Sequence, residues 1–265
     1  MKLGIIGCGN MGSALAEGIV SKKVLPFNNI YISDKQAQKT KLLNRKFGIS
    51  VCSNTDIVKK ANVIVLAVKP QTAVEVLSSL SSLFDGQKYI ISIMAGIPIA
   101  RIETFLKKKT AVTRAMPNMA ALVGKSITCI SHNGHVKDKT FVQKLFSSIG
   151  EVMEIDEKHI DAVTAISGSG PAYFFYVAEC LISAAIKLGI QKDKATKLAM
   201  ATLVGSGAVM DALKLYPAIL RGQVTSKRGT TEAALEVLKS LGLEKVITAA
   251  VRAAQARSKE LSRSA

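Results

Sequence analysis

The sequence predicts an α/β chain in which a doubly wound parallel sheet is followed by an all-helical half. Three observations predict it. Short apolar strands alternate with helices up to residue 155, and a glycine-rich turn follows the first strand directly. The continuous apolar run over residues 62–68 reads as a strand covered on both faces, as a parallel sheet requires. Beyond residue 155 no convincing strand appears, and helical periodicity takes over.

In order, residues 3–6 form the first strand, and a helix follows over about 13–22. Residues 30–33 are the second strand, ending at Asp34, and a charged helix covers 36–47. Val51 marks a short third strand, 62–68 the fourth, 89–93 the fifth and 111–114 the sixth. Strands over 127–130 and 152–155 flank a helix over 137–149. Helices are then expected over 172–188, 192–213, 232–241 and 244–261. This places a domain boundary near Asp156, with domains 1–156 and 157–265. Small residues crowd the stretch 199–212, including Gly205 and Gly207, which suits helices in close contact and a face buried against a second subunit.

A chain of 265 residues can bury a substantial core as one large domain or two modest ones. Residues 162–178 lack charge, but Gly168, Gly170 and Pro171 are expected to interrupt any membrane span there. The glycines from Gly7 break the apolar start too early for a signal peptide. Cys8, Cys52, Cys129 and Cys180 have neither metal nor redox spacing, so a cytoplasmic protein with free thiols is expected. The net charge is +17, yet the basic residues are spread out apart from Lys107-Lys108-Lys109, and aromatics are 5% with no Trp. That pattern lacks the stacking platform of a nucleic-acid binder. It fits a lysine-rich surface that also draws in anionic ligands.

Gly7-x-Gly9-x-x-Gly12 lies between the first strand and first helix, the context a dinucleotide fingerprint requires. The first glycine permits the tight turn, the second lets backbone approach a pyrophosphate, and the third lets helix pack on strand. Such a turn defines a Rossmann-type sheet. Asp34 stands where a carboxylate binds the ribose hydroxyls of NAD(H). Ser33, Lys35 and Lys39 could hold a 2′-phosphate, though Lys35 and Lys39 fit plain surface residues equally well, so NADPH and NADH both remain open. Ala67-Val68-Lys69-Pro70, Met94-Ala95-Gly96 and Met116-Pro117-Asn118 each follow a strand at the carboxyl edge, and together read as the rim of one cleft. At the long helix, Pro171 suits the first turn and Ser169 or Gly170 the cap.

In the helical half, Val224-Thr225-Ser226-Lys227-Arg228-Gly229-Thr230-Thr231-Glu232 is a polar loop running into a helix. Unpaired N–H groups and hydroxyls at a helix start can hold a small carboxylate. His132 and His135 bracket an Asn-Gly turn with no third ligand nearby, and no metal site is expected. His159 is expected at the surface or an interface. There is no Ser–His–Asp arrangement and no pair of catalytic carboxylates.

Taken together, these blocks resemble the pyrroline-5-carboxylate reductase family over nearly the whole chain. The resemblance rests on residues 7–12, Ala67-Val68-Lys69-Pro70, Ala95-Gly96, Met116-Pro117-Asn118 and Gly168-Ser169-Gly170-Pro171-Ala172-Tyr173. Its most specific part is Val224-Thr225-Ser226 with Gly229-Thr230-Thr231. It implies reduction of a cyclic imine acid to L-proline by NADPH or NADH. It also implies a helical dimerisation domain, and dimers that assemble into larger rings such as a decamer. Carried over, Gly7, Cys8, Gly9, Asn10, Met11, Ser33, Asn54, Ala67, Val68, Lys69 and Pro70 contact the cofactor, joined by Asp34 and Lys35 from the reading above. Ser226, Gly229, Thr230 and Thr231 hold the substrate, and no nucleic acid, membrane or metal is implied.

Three positions depart from the family pattern. Lys227 and Arg228 stand where many members have Pro and Gly, and Met119 and Ala120 where Thr and Pro are frequent. Asp34-Lys35 replaces a longer Ser/Pro-containing loop. The chemistry suits the residue inventory. An imine nitrogen can be protonated near neutral pH before attack, so positioning and water exclusion matter more than a strong acid. Thr231 is the candidate to hold or pass the imine proton. A β-hydroxyacid dehydrogenase shares the two-domain plan but carries a catalytic lysine where this chain has Phe174. A nucleotide-sensing protein would have no need of the threonine-rich loop.

Overall fold

A computed structural model describes residues 1–106 and 109–264, with the side chains of 263 and 264 excepted. Lys107 and Lys108 of the basic run therefore lie outside the described residues. By contacts the chain divides into two compact units, Met1–Ser169 with Ala253–Ala265, and Gly170–Arg252.

The first unit is built on β1 (Leu3–Ile6), α1 (Asn10–Ser21), β2 (Ile30–Ser33), α2 (Ala37–Phe47), β3 (Ser50–Val51) and α3 (Asn54–Lys60). It continues with β4 (Val63–Leu66), α4 (Ala73–Leu80), β5 (Tyr89–Ser92), α5 (Ile99–Glu103), β6 (Ala111–Met116), β7 (Ser126–His132), α6 (Thr140–Ser147) and β8 (Gly150–Glu154). The strands form one sheet in the order β3-β2-β1-β4-β5-β6-β7-β8. All neighbours are parallel except β6 and β7, which pair antiparallel with Thr113 opposite His132. The reversal has a simple cause. Residues 117–125 are too few for a crossover helix, and a parallel return needs about a dozen or more. Instead Asn118 Oδ1 caps a tight turn by accepting from the N–H of Ala120, and Gly124 closes it at φ 68°.

Alternation along the strands splits the core into two layers. On one face Ile5, Ile32, Val65, Ile91 and Ile130 pack with Leu15 and Ile19 of α1 and Phe146 of α6. On the other, Ile6, Ile64, Leu66, Ile90 and Val112 pack with Ile57, Leu77, Leu80 and Ile102 from α3, α4 and α5. α3 escapes an apolar-periodicity reading because it shows only Ile57 and Val58 to the core between charged residues. Its start is set by Ser53, whose Oγ accepts from the N–H of Asp56.

By contacts residues 157–169 group with the sheet-bearing unit. The reason is a buried ionic cluster. Arg114 on β6, 4% exposed, has Nη1 3.3 Å from Glu157 Oε1 and Nη2 3.6 Å from Asp161 Oδ1. Glu157 Oε1 also accepts from the N–H of Ile99 at 2.7 Å, and Asp161 Oδ1 from Ser258 Oγ at 2.8 Å. Ser258 lies near the end of the last helix, so the chain terminus is drawn into this unit.

Asp161 is on α7 (Ile160–Val163), which runs through a π turn at Thr164–Gly168 into α8 (Gly170–Lys187). Ser169 is a bend between the π turn and α8, and Pro171 sits in the first turn of α8, as the sequence predicts. A proline is tolerated there because the N–H groups of a first turn have no intrahelical partner. The N–H of Ser169 bonds the carbonyl of Thr164, five residues back, at 2.8 Å. Taken together across that bend, residues Glu157–Lys187 are long and apolar enough to cross a membrane by length and composition, with 11% of the apolar window buried.

The second unit holds α8, α9 (Lys192–Leu213), α10 (Pro217–Gln223), α11 (Thr230–Ser240) and the first part of α12 (Leu243–Ser264), up to Arg252. α10 is short and follows Tyr216-Pro217, with Pro at its first position. α8 packs on α9, where Ala178, Ala195 and Ala199 are buried. Phe174, Phe175, Tyr176, Leu181, Val204 and Ile247 nevertheless stay exposed in the single chain. So large an apolar surface ordinarily marks an interaction site.

Candidate active site

The glycine-rich turn between β1 and α1 uses its three glycines in different ways. Gly7 has φ 103°, and a Cβ there would lie 2.5 Å from the carbonyl oxygen of Ala67. A Cβ on Gly12 would meet the Gly7 carbonyl oxygen at 2.0 Å. Both are demanded by the protein's own packing. Gly9 is not. Its φ is −68°, open to any residue, and a Cβ would find nothing within 4 Å. The bare backbone at Gly9 is a cradle facing open space. No described hydrogen bond takes the N–H of Gly9, Asn10 or Met11 at the start of α1. Free donors on a helix N-terminus fit a pyrophosphate.

Beside this turn lies a cavity of about 230 Å³ lined by Gly7, Gly9, Ser33, Asp34, Lys35, Asn54, Ala67, Val68 and Lys69, together with Ile6, Gln36, Lys39, Thr72 and Val76. Most of the sequence-predicted dinucleotide residues thus meet at one carboxyl edge. Cys8 and Asn10 line an adjoining hollow of about 400 Å³, which shares Gly9 and Lys39. Met11 packs against the core layer instead, and Pro70 opens the short helical turn Pro70–Thr72. Gln36, Thr72 and Val76 went unnoticed in the sequence because nothing in their type marks them. They are brought in by the starts of α2 and α4.

Hydrogen bonds set the side chains of this cavity. Asp34 Oδ2 accepts from the N–H of Cys8 and Oδ1 from the N–H of Gln36, each at 2.7 Å. Ser33 Oγ donates to Asn54 Oδ1 at 2.6 Å. Lys35 Nζ pairs with Glu75 of α4 at 3.1 Å in the open. The Cys8 thiol is pushed up to about 12, chiefly by burial and then by the Asp34 charge, so it stays protonated and inert. The turns after β5 and β6 do not join this lining. Met94 is buried, Gly96 packs 3.1 Å (at an added Cβ) from Leu261 Cβ, and Asn118 is occupied by its own turn.

The second unit carries the threonine-rich loop. Thr230 and Thr231 are the first residues of α11, with Gly229 at its N-cap. A Cβ on Gly229 would meet Ser226 Oγ at 2.3 Å, so the glycine lets Ser226 fold against the helix start. Arg228 sits at φ 59°, a left-handed conformation that favours glycine. Its N–H is held by Glu232 Oε2 at 2.6 Å, which fixes the loop. Ser226, Gly229, Thr230 and Thr231 are thus gathered at one helix N-terminus. No side chain caps that end. Thr231 is half-buried and Thr230 exposed.

The histidines are placed elsewhere. His132 Nδ1 bonds Thr113 Oγ1 at 2.6 Å, and Thr113 in turn bonds the Tyr89 hydroxyl. His135 and His159 are exposed. Among the described residues no group of three or more His, Cys, Asp or Glu side chains is placed to hold a metal.

Known proteins match both the sheet-bearing and the helical parts of the chain. Residues 157–261 match the family profile for pyrroline-5-carboxylate reductase dimerisation, and residues 2–96 that for NADP oxidoreductase, coenzyme F420-dependent. Pyrroline-5-carboxylate reductase of Methanosarcina acetivorans is 37% identical across 98% of this chain and 97% of its own. That of Pseudomonas aeruginosa is 38% identical across 98% and 96%. Among solved structures, the Coxiella burnetii reductase superposes with TM-score 0.92 at 32% identity, covering 98% of each chain. The Plasmodium falciparum pyrroline carboxylate reductase, solved with NADP bound, gives 0.86 at 31% identity over 99% and 98%. On this likeness in sequence and structure along its whole length, the chain belongs to the pyrroline-5-carboxylate reductase family.

Proposed function

We propose that this protein reduces 1-pyrroline-5-carboxylate to L-proline with NADPH or NADH, the last step of proline biosynthesis. The observation that carries the reading is the open cradle at Gly9, set among free N–H donors, in a chain that also carries the family's hydroxyl-rich helix start. The bound cofactor supplies the hydride that the imine carbon accepts.

The chain's own residues do the rest. Gly9, Asn10 and Met11 offer their free N–H groups to the pyrophosphate, and Gly7 and Cys8 shape the turn against it. Ser33, Asp34, Lys35 and Asn54 surround the adenosine ribose, and Ala67, Val68, Lys69 and Pro70 flank the path to the nicotinamide. Ser226, Gly229 and Thr230 hold the substrate carboxylate at the positive end of α11. Thr231 holds the imine nitrogen through its hydroxyl and keeps the proton there during transfer. A neutral hydroxyl suffices because the protonated imine is already electrophilic. Residues 1–156 serve the dinucleotide, and 157–265 serve substrate and assembly.

The exposed apolar faces of α8 and α9 supply a dimer interface, and dimers stack into larger rings such as a decamer. That use of the apolar surface accounts for α8 without a membrane, and cytoplasmic residence follows. The alternative, alcohol oxidation by a β-hydroxyacid dehydrogenase, lacks its lysine, since Phe174 stands at that position, 62% exposed. An absorbance assay of cofactor oxidation with pyrroline-5-carboxylate tests the proposal. Turnover with at least one reduced nicotinamide is expected, and none with either would overturn it.

A further inference from the structure

An acidic residue at the end of the second strand ordinarily marks NAD(H), because it takes the ribose 2′-hydroxyl and repels a 2′-phosphate. Asp34 occupies that position but is otherwise engaged. Its two carboxylate oxygens accept from the N–H groups of Cys8 and Gln36, both at 2.7 Å. Bonds of this charge-assisted kind are strong, and they turn the charge toward backbone donors. One of those donors belongs to the glycine-rich turn itself, so Asp34 clamps that turn to the end of β2.

The positive charges around the cavity are not equivalent. Lys35 is paired with Glu75 of α4. Lys69, after β4, is another lining residue. Lys39, in the first turn of α2, lines both the cavity that holds Ser33 and Asp34 and the hollow that holds Cys8 and Asn10. It is shared by the two hollows and lies in the first turn of α2, the helix that follows the end of β2. No carboxylate pairs with its ammonium among the described residues. The 11-residue helix α2 also begins there with no side-chain cap.

We propose that Lys39 is the specificity-determining residue for a phosphorylated dinucleotide: it holds the 2′-phosphate of NADPH, while Asp34 clamps the glycine-rich turn and does not select against that phosphate. This rests on the dinucleotide reading above and adds to it the choice between the two cofactors. A phosphate monoester carries close to two negative charges at neutral pH. An unpaired ammonium next to a helix N-terminus is a suitable partner for it.

The test is calorimetric titration of NADP⁺ and NAD⁺ into the full-length protein without substrate, with melting curves to confirm folding. Lys39→Gln is expected to weaken NADP⁺ about ten-fold and to leave NAD⁺ within about two-fold. Lys41→Gln, on the same helix but lining neither hollow, is expected to change neither. Asp34→Ser is expected to weaken both dinucleotides alike, because the clamp is lost. Equal losses of NADP⁺ and NAD⁺ in Lys39→Gln, or no loss at all, would overturn the assignment. So would Asp34→Ser if it strengthened NADP⁺ relative to NAD⁺. These outcomes leave the reductase reading standing, whereas a wild-type protein that binds neither dinucleotide would remove that reading and this inference together.

Discussion

Single residues separate what the chain needs for folding from what it needs for binding. Gly9 is the clearest case, since neither its φ nor any neighbouring atom requires a glycine. Gly9→Ala is therefore expected to leave the melting temperature within about one degree while weakening dinucleotide binding ten-fold or more. Gly12→Ala is expected to unfold the turn, because its Cβ would meet backbone at 2.0 Å. Calorimetric titration and thermal melts on the two variants check both. Thr231→Ala should cost about 1–3 kcal/mol of transition-state stabilisation through a lost hydrogen bond. That is roughly one to two powers of ten in single-turnover rate. Thr230→Ala should act mainly on substrate affinity. If Thr231→Ala lowers only the melting temperature, Thr231 is a helix cap and nothing more. The glycine spacing and the threonine block were legible in the sequence because both are local. The engagement of Asp34 was not, since its partner Cys8 lies 26 residues away and the bond depends on how β2 ends.

At the scale of elements, the strands and most helices could be read because alternation and helical periodicity are local signals. α3, α4, α5, α7 and α10 could not, each spanning eight residues or fewer, and the π turn at Thr164–Gly168 leaves no mark in the periodicity. The Arg114 cluster was equally silent, as it joins β6, α7 and α12 from three distant parts of the chain. Removing one member of a buried charge cluster ordinarily costs about 3–5 kcal/mol. Arg114→Ala should approach the lower figure, since Glu157 keeps some contact with water, and denaturant titration will measure it. A pH effect belongs to β7. Burial pushes the His132 imidazole below its ordinary 6.5. The unfolded chain then takes up a proton before the folded one does, so stability should be full above about pH 6.5 and fall as the pH drops below it. His132→Asn should flatten that fall in melting temperature between about pH 7 and 5. An unchanged slope would place the proton uptake elsewhere.

For the whole molecule, the apolar residues left uncovered on α8 and α9 set the expectation of assembly. Light scattering should give at least a dimer, and Leu181→Asp, which puts a charge on that face, should shift the mass toward the monomer. A wild-type monomer at working concentration would contradict this. The general plan of sheet first and helices second was visible in the sequence, because a change of periodicity marks it. The return of the last residues to the first unit was not, since Ser258 and Leu261 look like any other positions on an amphipathic helix.

That return has a consequence for how the protein is made. The sheet-bearing unit is discontinuous, formed by Met1–Ser169 and Ala253–Ala265 with another unit encoded between them. Domains emerging from the ribosome generally fold from the N-terminal end as they appear. Here the nascent sheet must wait through 83 further residues, Gly170–Arg252, before Ser258 arrives to meet Asp161. Until then the carboxylate that faces Arg114 lacks its hydroxyl donor, and Gly96 lacks the Leu261 side chain packed beside it. Premature termination anywhere in the helical half would thus leave a dinucleotide fold without its final fastening, a ready substrate for proteolytic quality control.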